Sequence, residues 1–248
     1  MPPSKQPFNI LAIAQPTEIE RRKHLDEMLS GLGLHYKLVR TSPPVPQNRW
    51  HEAGFNHQKS KSILGRDLSP GEIGCFLSHR NAWKEAARSN QPSLILEGDA
   101  KLDQDSAKVC ELLSVPTRRW ELAMLYYSKC VPSVWQQQRL DETFRLAKFA
   151  NRRAYCLAAY MLTPEGAKKL LELSETFHLP ADDFVSGGWI KKDLDMFAVV
   201  PKAAGLCLGS LMQQLAREGG PFEEKGEPAQ LSSGLPGRRL YSDPEGAF

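Results

Sequence analysis

Short apolar runs alternate with stretches of helical spacing along most of the chain. Phe8 to Ala14 is nearly all apolar and reads as a first strand. Gln15-Pro16 turns the chain, and Thr17 with Glu20 forms a capping box for a helix running to about Leu32. Gly31 and Gly33 end that helix, and His35 to Arg40 reads as a second strand. After an irregular stretch from Thr41 to Leu68, a second capping box appears. Ser69 can accept the amide of Glu72, Glu72 can reach back to the Ser69 amide, and Pro70 takes the first helical position, where a missing N–H costs nothing. Ile73, Phe76, Leu77, Trp83 and Ala87 then recur at helical spacing. Ser89-Asn90-Gln91-Pro92 stops the helix, and Ser93 to Leu96 follows as a short buried strand.

Downstream the pattern is looser. A helix is predicted from about Asp105 to Leu113 and a strand from Glu121 to Tyr126. Val131 to Asp141 reads as irregular. Phe144 to Phe149 and Ala154 to Leu162 read as strands that pair with one another. Thr163, followed by Pro164, caps a further helix through Ala167, Leu170 and Leu171. Pro180 to Phe184 reads as a loop and Asp195 to Val200 as a late strand. From Glu218 onward Gly, Pro, Glu and Ser dominate, which predicts a disordered tail over 216–248 behind a single domain over 1–215. The alternating order argues for an α/β sandwich with a nucleotide-binding first half.

Composition narrows the classes. The 248 residues suffice for a full core, and 25% charged with 41% hydrophobic residues is ordinary for a soluble globular protein. A net charge of +3 is too small to argue for nucleic acid. The five cysteines are scattered with no C-x-x-C, so buried thiols are expected rather than zinc ribbons or a disulfide framework. The N-terminus has no apolar leader and no apolar run is long enough to span a bilayer. A cytoplasmic protein with at most peripheral membrane contact is expected.

The chemistry concentrates where the strand Ser93–Leu96 ends in Glu97-Gly98-Asp99. Ligands of open α/β sheets bind at this carboxyl edge. Acids at alternate positions of extended backbone can aim both carboxylates to one side. Two hard oxygen donors suit Mg²⁺ or Mn²⁺, and Gly98 would let a diphosphate approach the backbone. The rival reading is an ordinary Glu-Gly-Asp turn. Arg21 and Arg22, one turn into the first helix, suit either diphosphate contact or solvent. His79, alone on a largely apolar helix, suits a packed core. No G-x-G-x-x-G follows the first strand and no G-K-[ST] is present, which counts against dinucleotide and P-loop sites.

The string L-S-P-G-E-I-G-C-F-L-S-H-R-N-A-W followed by L-I-L-E-G-D resembles glycosyltransferase family 25. That family holds bacterial lipooligosaccharide β-galactosyltransferases and animal collagen galactosyltransferases. A-Y-C-L-A-A-Y-M-L-T-P-E-G-A-K-K-L-L and P-A-D-D-F match its later blocks in order. Three positions depart from the family pattern. Gly98 stands where the middle acid of Glu-Asp-Asp is usual, Ile13-Ala14-Gln15 replaces an Asn-Leu, and Ser210-Leu211-Met212 stands for a Ser-Asp-Ile.

The resemblance implies a GT-A-like, metal-dependent, inverting transferase. Its donor would be a nucleotide sugar, most simply UDP-galactose, and its acceptor a hydroxyl of a glycan or glycoconjugate. It implies Glu97 and Asp99 as the Mn²⁺ or Mg²⁺ site, and Ser78 and His79 beside the donor. Asp182 becomes the general base, across a cleft from Glu97 and Asp99, with Asp183 as its understudy. Asp182-Asp183 read without the resemblance is a solvated loop or helix cap. The Gly98 departure leaves a second expectation, a weak or inactive member that binds a glycan or a partner.

Overall fold

The computed structural model describes residues 6–150, 154–186, 194–207 and 209. The expected tail over 216–248 and the Ser210-Leu211-Met212 segment lie outside them. The sheet is built from β1 (Asn9–Ile13), β2 (Lys37–Leu38), β3 (Ser93–Glu97), β5 (Leu122–Met124), β6 (Pro132–Arg139), β7 (Arg145–Phe149), β8 (Ala159–Leu162) and β9 (Met196–Val200). Its strand order is β2-β1-β3-β8-β5-β9-β7-β6. β2, β1 and β3 are parallel neighbours, and β8 lies antiparallel between β3 and β5. β5 pairs parallel with β9, and β7 lies antiparallel between β9 and β6. All strands but β7 and β8 therefore run one way, and their carboxyl ends share an edge. β4 (Ala100–Lys101) and β10 (Gly205–Leu206) form a separate two-stranded ladder beside that edge.

Helices cover both faces, as period-two burial requires. Leu94 and Leu96 of β3 join Phe8, Ile10 and Ala12 in a core closed by α1 (Ile19–Gly31) and α5 (Gln104–Leu113). Ile95 and Leu11 face the other way, into a core closed by α4 (Pro70–Ala87) and α6 (Pro164–Leu173). Truncating such side chains to alanine typically costs about 2–5 kcal/mol. The mixed α/β architecture is that of a GT-A-like single domain.

The cap at α4 forms as read: Ser69 accepts from Glu72 N and Glu72 Oε2 accepts from Ser69 N. The cap at α6 does too, with Thr163 Oγ1 accepting from Gly166 N. Elsewhere the chain departs from the sequence reading. The helix expected from Thr17 starts at Ile19, because Glu18 turns its carboxylate back onto Gln15 N at 2.6 Å. The stretch from Thr41 to Leu68 holds α2 (Trp50–Ala53) and α3 (His57–Leu64), the latter capped by Asn56. Residues 132–139, read as irregular, form the edge strand β6, in which Val134 to Arg139 are all exposed, Val134 and Trp135 among them. The strand expected from Ala154 begins at Ala159, since Cys156 sits at φ +79°, outside any strand conformation. It pairs with β3 and β5, not with β7. Pro180 to Phe184 is not a loop: Pro180 O accepts Phe184 N and opens α7 (Ala181–Ser186).

Candidate functional site

Glu97 ends β3 on the shared carboxyl edge, and its own amide donates to Ala158 O. Below it, α4 presents Cys75, Ser78 and His79. His79 is fully buried: its Nε2 lies 2.9 Å from Glu97 Oε1 and its Nδ1 lies 3.0 Å from Tyr160 Oη. Tyr160 in β8 also accepts from the Trp83 indole at 2.9 Å. An indole can only donate, so the Tyr160 proton is available to His79 Nδ1, which leaves Nε2–H to donate to Glu97. Burial disfavours a second proton on the ring, whereas Tyr160, Cys75 and Glu97 favour it and raise His79 well above the ordinary histidine value. In both protonation states Nε2–H faces Glu97. Trp83, Tyr160 and His79 thus form a buried relay that fixes the carboxylate.

Burial alone would raise Glu97, but the hydrogen bond and charge of His79, with Arg21 behind them, hold it below the ordinary glutamate value. Arg21 pairs with Glu18 at 3.0 Å and reaches Asp99 Oδ2 at 3.8 Å. Its stem packs on Gly98, where a Cβ would lie 3.0 Å from Arg21 Cβ and 3.4 Å from Ala14 Cβ. The middle position of the acid pair is thus backed by an arginine rather than filled by a third acid.

Arg22 is used otherwise: Nε donates to Gln15 O at 3.0 Å and Nη2 to Ala14 O at 3.2 Å, tying α1 to the end of β1. Ser78 is likewise internal. Its hydroxyl donates to Gly74 O and accepts from Ser42 N, and Gly74 lets the backbone at Pro43 approach, since a Cβ there would meet Pro43 O at 2.7 Å.

Asp182 comes to the same edge through packing. Phe184, two residues on, meets Phe76 edge-on at 5.1 Å and stacks near Trp83, which docks α7 on α4. Asp182 Oδ1 accepts from Leu157 N at 3.3 Å, and the next residue, Ala158, takes the Glu97 amide. One segment therefore tethers both acids. Burial and the negative charge of Glu97 together raise Asp182 to about 6, against the opposing pull of His79 and Leu157 N–H. The charge of Asp183 adds to the field on Arg66, the partner of Glu72, as well as to that on Asp182.

The edge thus brings together Glu97, Asp99, Arg21, His79 and Asp182, while Arg22 and Ser78 serve the backbone around it. Sequence reasoning missed Cys75, Tyr160 and Trp83. Tyr160 sits 81 residues from His79, and no local spacing signals such a contact.

The donor set suits a hard divalent cation. Asp99 Oδ1 is buried and makes no hydrogen bond, which in a folded protein calls for a partner. Glu97 binds His79 through Oε1, and Asp99, two residues on, adds a second carboxylate at the same strand end. Among the described residues no helix is long and apolar enough to cross a membrane.

A sequence profile described as "Glycosyltransferase family 25 (LPS biosynthesis protein)" matches residues 9–185. The "Procollagen galactosyltransferase 1-A" of Xenopus laevis is 27% identical over 192 residues, 74% of this chain and 31% of its own length. A "Glycosyltransferase 25 family member" of Anopheles gambiae is 33% identical over 125 residues, 48% of this chain and 20% of its own. A "Probable inactive glycosyltransferase 25 family member 3" of Rattus norvegicus is 30% identical over 126 residues, 49% of this chain and 22% of its own. The chain therefore spans a fifth to a third of the length of these relatives. With the profile covering most of the described residues, including both acids of the strand end and Asp182, this chain belongs to glycosyltransferase family 25.

Proposed function

We propose that the chain is an inverting hexosyltransferase. It moves a sugar from a nucleotide sugar, most simply galactose from UDP-galactose, onto a hydroxyl of a glycan or glycoconjugate. The observation that carries this reading is the raised Asp182 carboxyl sharing an edge and a tether with the lowered Glu97 carboxylate. A base that titrates near 6 is ionised at neutral pH, yet basic enough to take a hydroxyl proton in the transition state. Asp182 takes that proton as the acceptor oxygen bonds to the anomeric carbon; the bond from that carbon to the diphosphate oxygen breaks, and the configuration inverts.

Glu97 and Asp99 would hold Mn²⁺ or Mg²⁺ with the donor diphosphate, and the ion supplies charge neutralisation to the leaving group. His79, held by Tyr160 and Trp83, keeps Glu97 ionised and oriented. Arg21 sets the positive charge behind Gly98, at the place nearest Asp99. Donor turnover measured over a panel of UDP-sugars, with and without Mn²⁺, tests the reading: metal-dependent release of UDP from one donor supports it, and no turnover with any donor contradicts it.

Gly98 favours a second reading, that of a weak or inactive member which binds donor or glycan without transfer. A relative whose name calls it probably inactive keeps this reading in play. Binding of a UDP-sugar with no release of UDP would favour it.

A further inference from the structure

Among the described residues, one group of metal-ligating side chains does not coincide with the Glu97–Asp99 pair. Cys75 Sγ, His79 and Glu97 offer ligand atoms that all lie within 4.8 Å of one another. His79 Nε2 and Glu97 Oε1 are 2.9 Å apart. A tetrahedral zinc shell, with bonds of about 2.0–2.3 Å, sets neighbouring donors roughly 3.3–3.6 Å apart. The three groups therefore stand within about an ångström of that shell with no change of fold.

The chemistry of the set differs from that of Glu97 and Asp99. One sulfur, one imidazole and one carboxylate select a borderline-soft cation over Mg²⁺ or Mn²⁺. The surroundings also suit it. Tyr160 hydroxyl sits on His79 Nδ1, the outer-shell hydrogen bond that orients a metal-bound imidazole. Cys75 is exposed on α4, so an ion enters from its side and keeps a solvent position there.

We infer that Cys75, His79 and Glu97 form a site for a thiophilic divalent cation of the zinc class, and that its filling shuts off sugar transfer. Binding releases the Cys75 thiol proton and clears the proton from His79 Nε2; the one proton the ring keeps sits on Nδ1 and donates to the Tyr160 oxygen, so the Nε2–H to Glu97 hydrogen bond gives way to two metal bonds. The inhibitory half of the inference rests on the proposed function, because Glu97 cannot serve this ion and the donor's ion together. The binding half does not.

Co²⁺ added to the full chain reads the site directly, since a thiolate ligand gives a charge-transfer band in the near ultraviolet. The band should rise to one equivalent and be displaced by Zn²⁺. Cys75→Ser should abolish it and weaken Zn²⁺ at least tenfold, measured against a chromophoric chelator. Asp99→Asn should leave the band in place. Cys207→Ser should also leave it, although Cys207 Sγ lies 3.3 Å from His24 Nε2. Should Cys75→Ser fail to fold, alkylation of Cys75 in the unmodified chain should slow at least tenfold with one equivalent of Zn²⁺.

Absence of the band at one equivalent, its survival in Cys75→Ser, or its loss in Cys207→Ser overturns the site. Colourless Co²⁺ binding that Asp99→Asn removes overturns it too, and leaves the proposed function standing. A band that behaves as described in a chain with no transferase activity upholds the site and sinks the functional reading instead.

Discussion

Glu97 and Asp182 are carboxylates tethered to consecutive residues of one segment, and their surroundings drive them in opposite directions. At the end of β3, His79 donates to Glu97 and Arg21 adds positive charge, so Glu97 stays ionised despite burial. On α7, Asp182 accepts the Leu157 amide, feels the negative charge of Glu97, and rises to about 6. The residue types are nearly the same; the neighbours divide the labour, one acid permanently charged and one poised to take a proton.

The largest effect should come from removing the poised acid. Asp182→Asn keeps the shape and removes the basicity, so transfer should fall by roughly 10²-fold or more while donor affinity persists. In the unmodified chain the acid limb of kcat/KM should bend near pH 6. Asp183→Asn, at a carboxylate whose charge adds to the field on Arg66, should change transfer by less than about threefold. Equal sensitivity at the two positions would erase the distinction between them.

Next comes the charged acid's side of the comparison. Asp99→Asn, or EDTA, should cut transfer by roughly tenfold or more with little change in melting temperature, because Asp99 Oδ1 satisfies no partner in the fold. Activity that persists in EDTA would remove the metal from the account.

Tyr160→Phe probes the relay that holds Glu97. It strands the Trp83 indole and frees His79 Nδ1 in the core, a loss of about 1–3 kcal/mol in unfolding free energy. The same change should raise KM for the donor more than it lowers the affinity for acceptor, a split that simple loss of packing would not give.

The smallest and most diagnostic effect is on stability against pH. A raised carboxyl folds best when protonated, so Asp182 costs stability as pH rises from its unfolded value of 3.8 through about 6. Glu97, lowered below 4.5, contributes stability at neutral pH that is lost as pH falls through its folded value. Asp182→Asn should therefore stabilise the chain by about 1–2 kcal/mol at pH 7.5 and not at pH 4. Equal gains at both values would mean that packing, not charge, sets the difference.

The two regions also differed in how far the sequence reveals them. α4 and β3 announce themselves locally: a capping box, a proline at the first helical position, helical apolar spacing and a buried run ending in acids. Glu97 and Asp99 are legible because their setting is a strand end. Asp182 is not, since P-A-D-D-F carries no sign that Phe184 will dock on Phe76 and bury its neighbour. The relay through Tyr160 is equally silent, being a contact across the sheet between residues far apart in the chain. β6 is hidden for another reason: Val134 to Arg139 are exposed on both faces, so the alternation by which half-buried strands are found is missing. Cys156 at positive φ cuts short a strand that composition alone would extend.

Titration of the Asp182 carboxyl carbon by NMR, assigned by its loss in Asp182→Asn, tests the division of roles without substrate or metal. The unmodified chain should titrate near 6, and Glu97→Gln, which removes the facing charge, should bring that midpoint down. A midpoint near the ordinary aspartate value of 3.8, unmoved by Glu97→Gln, would contradict the account.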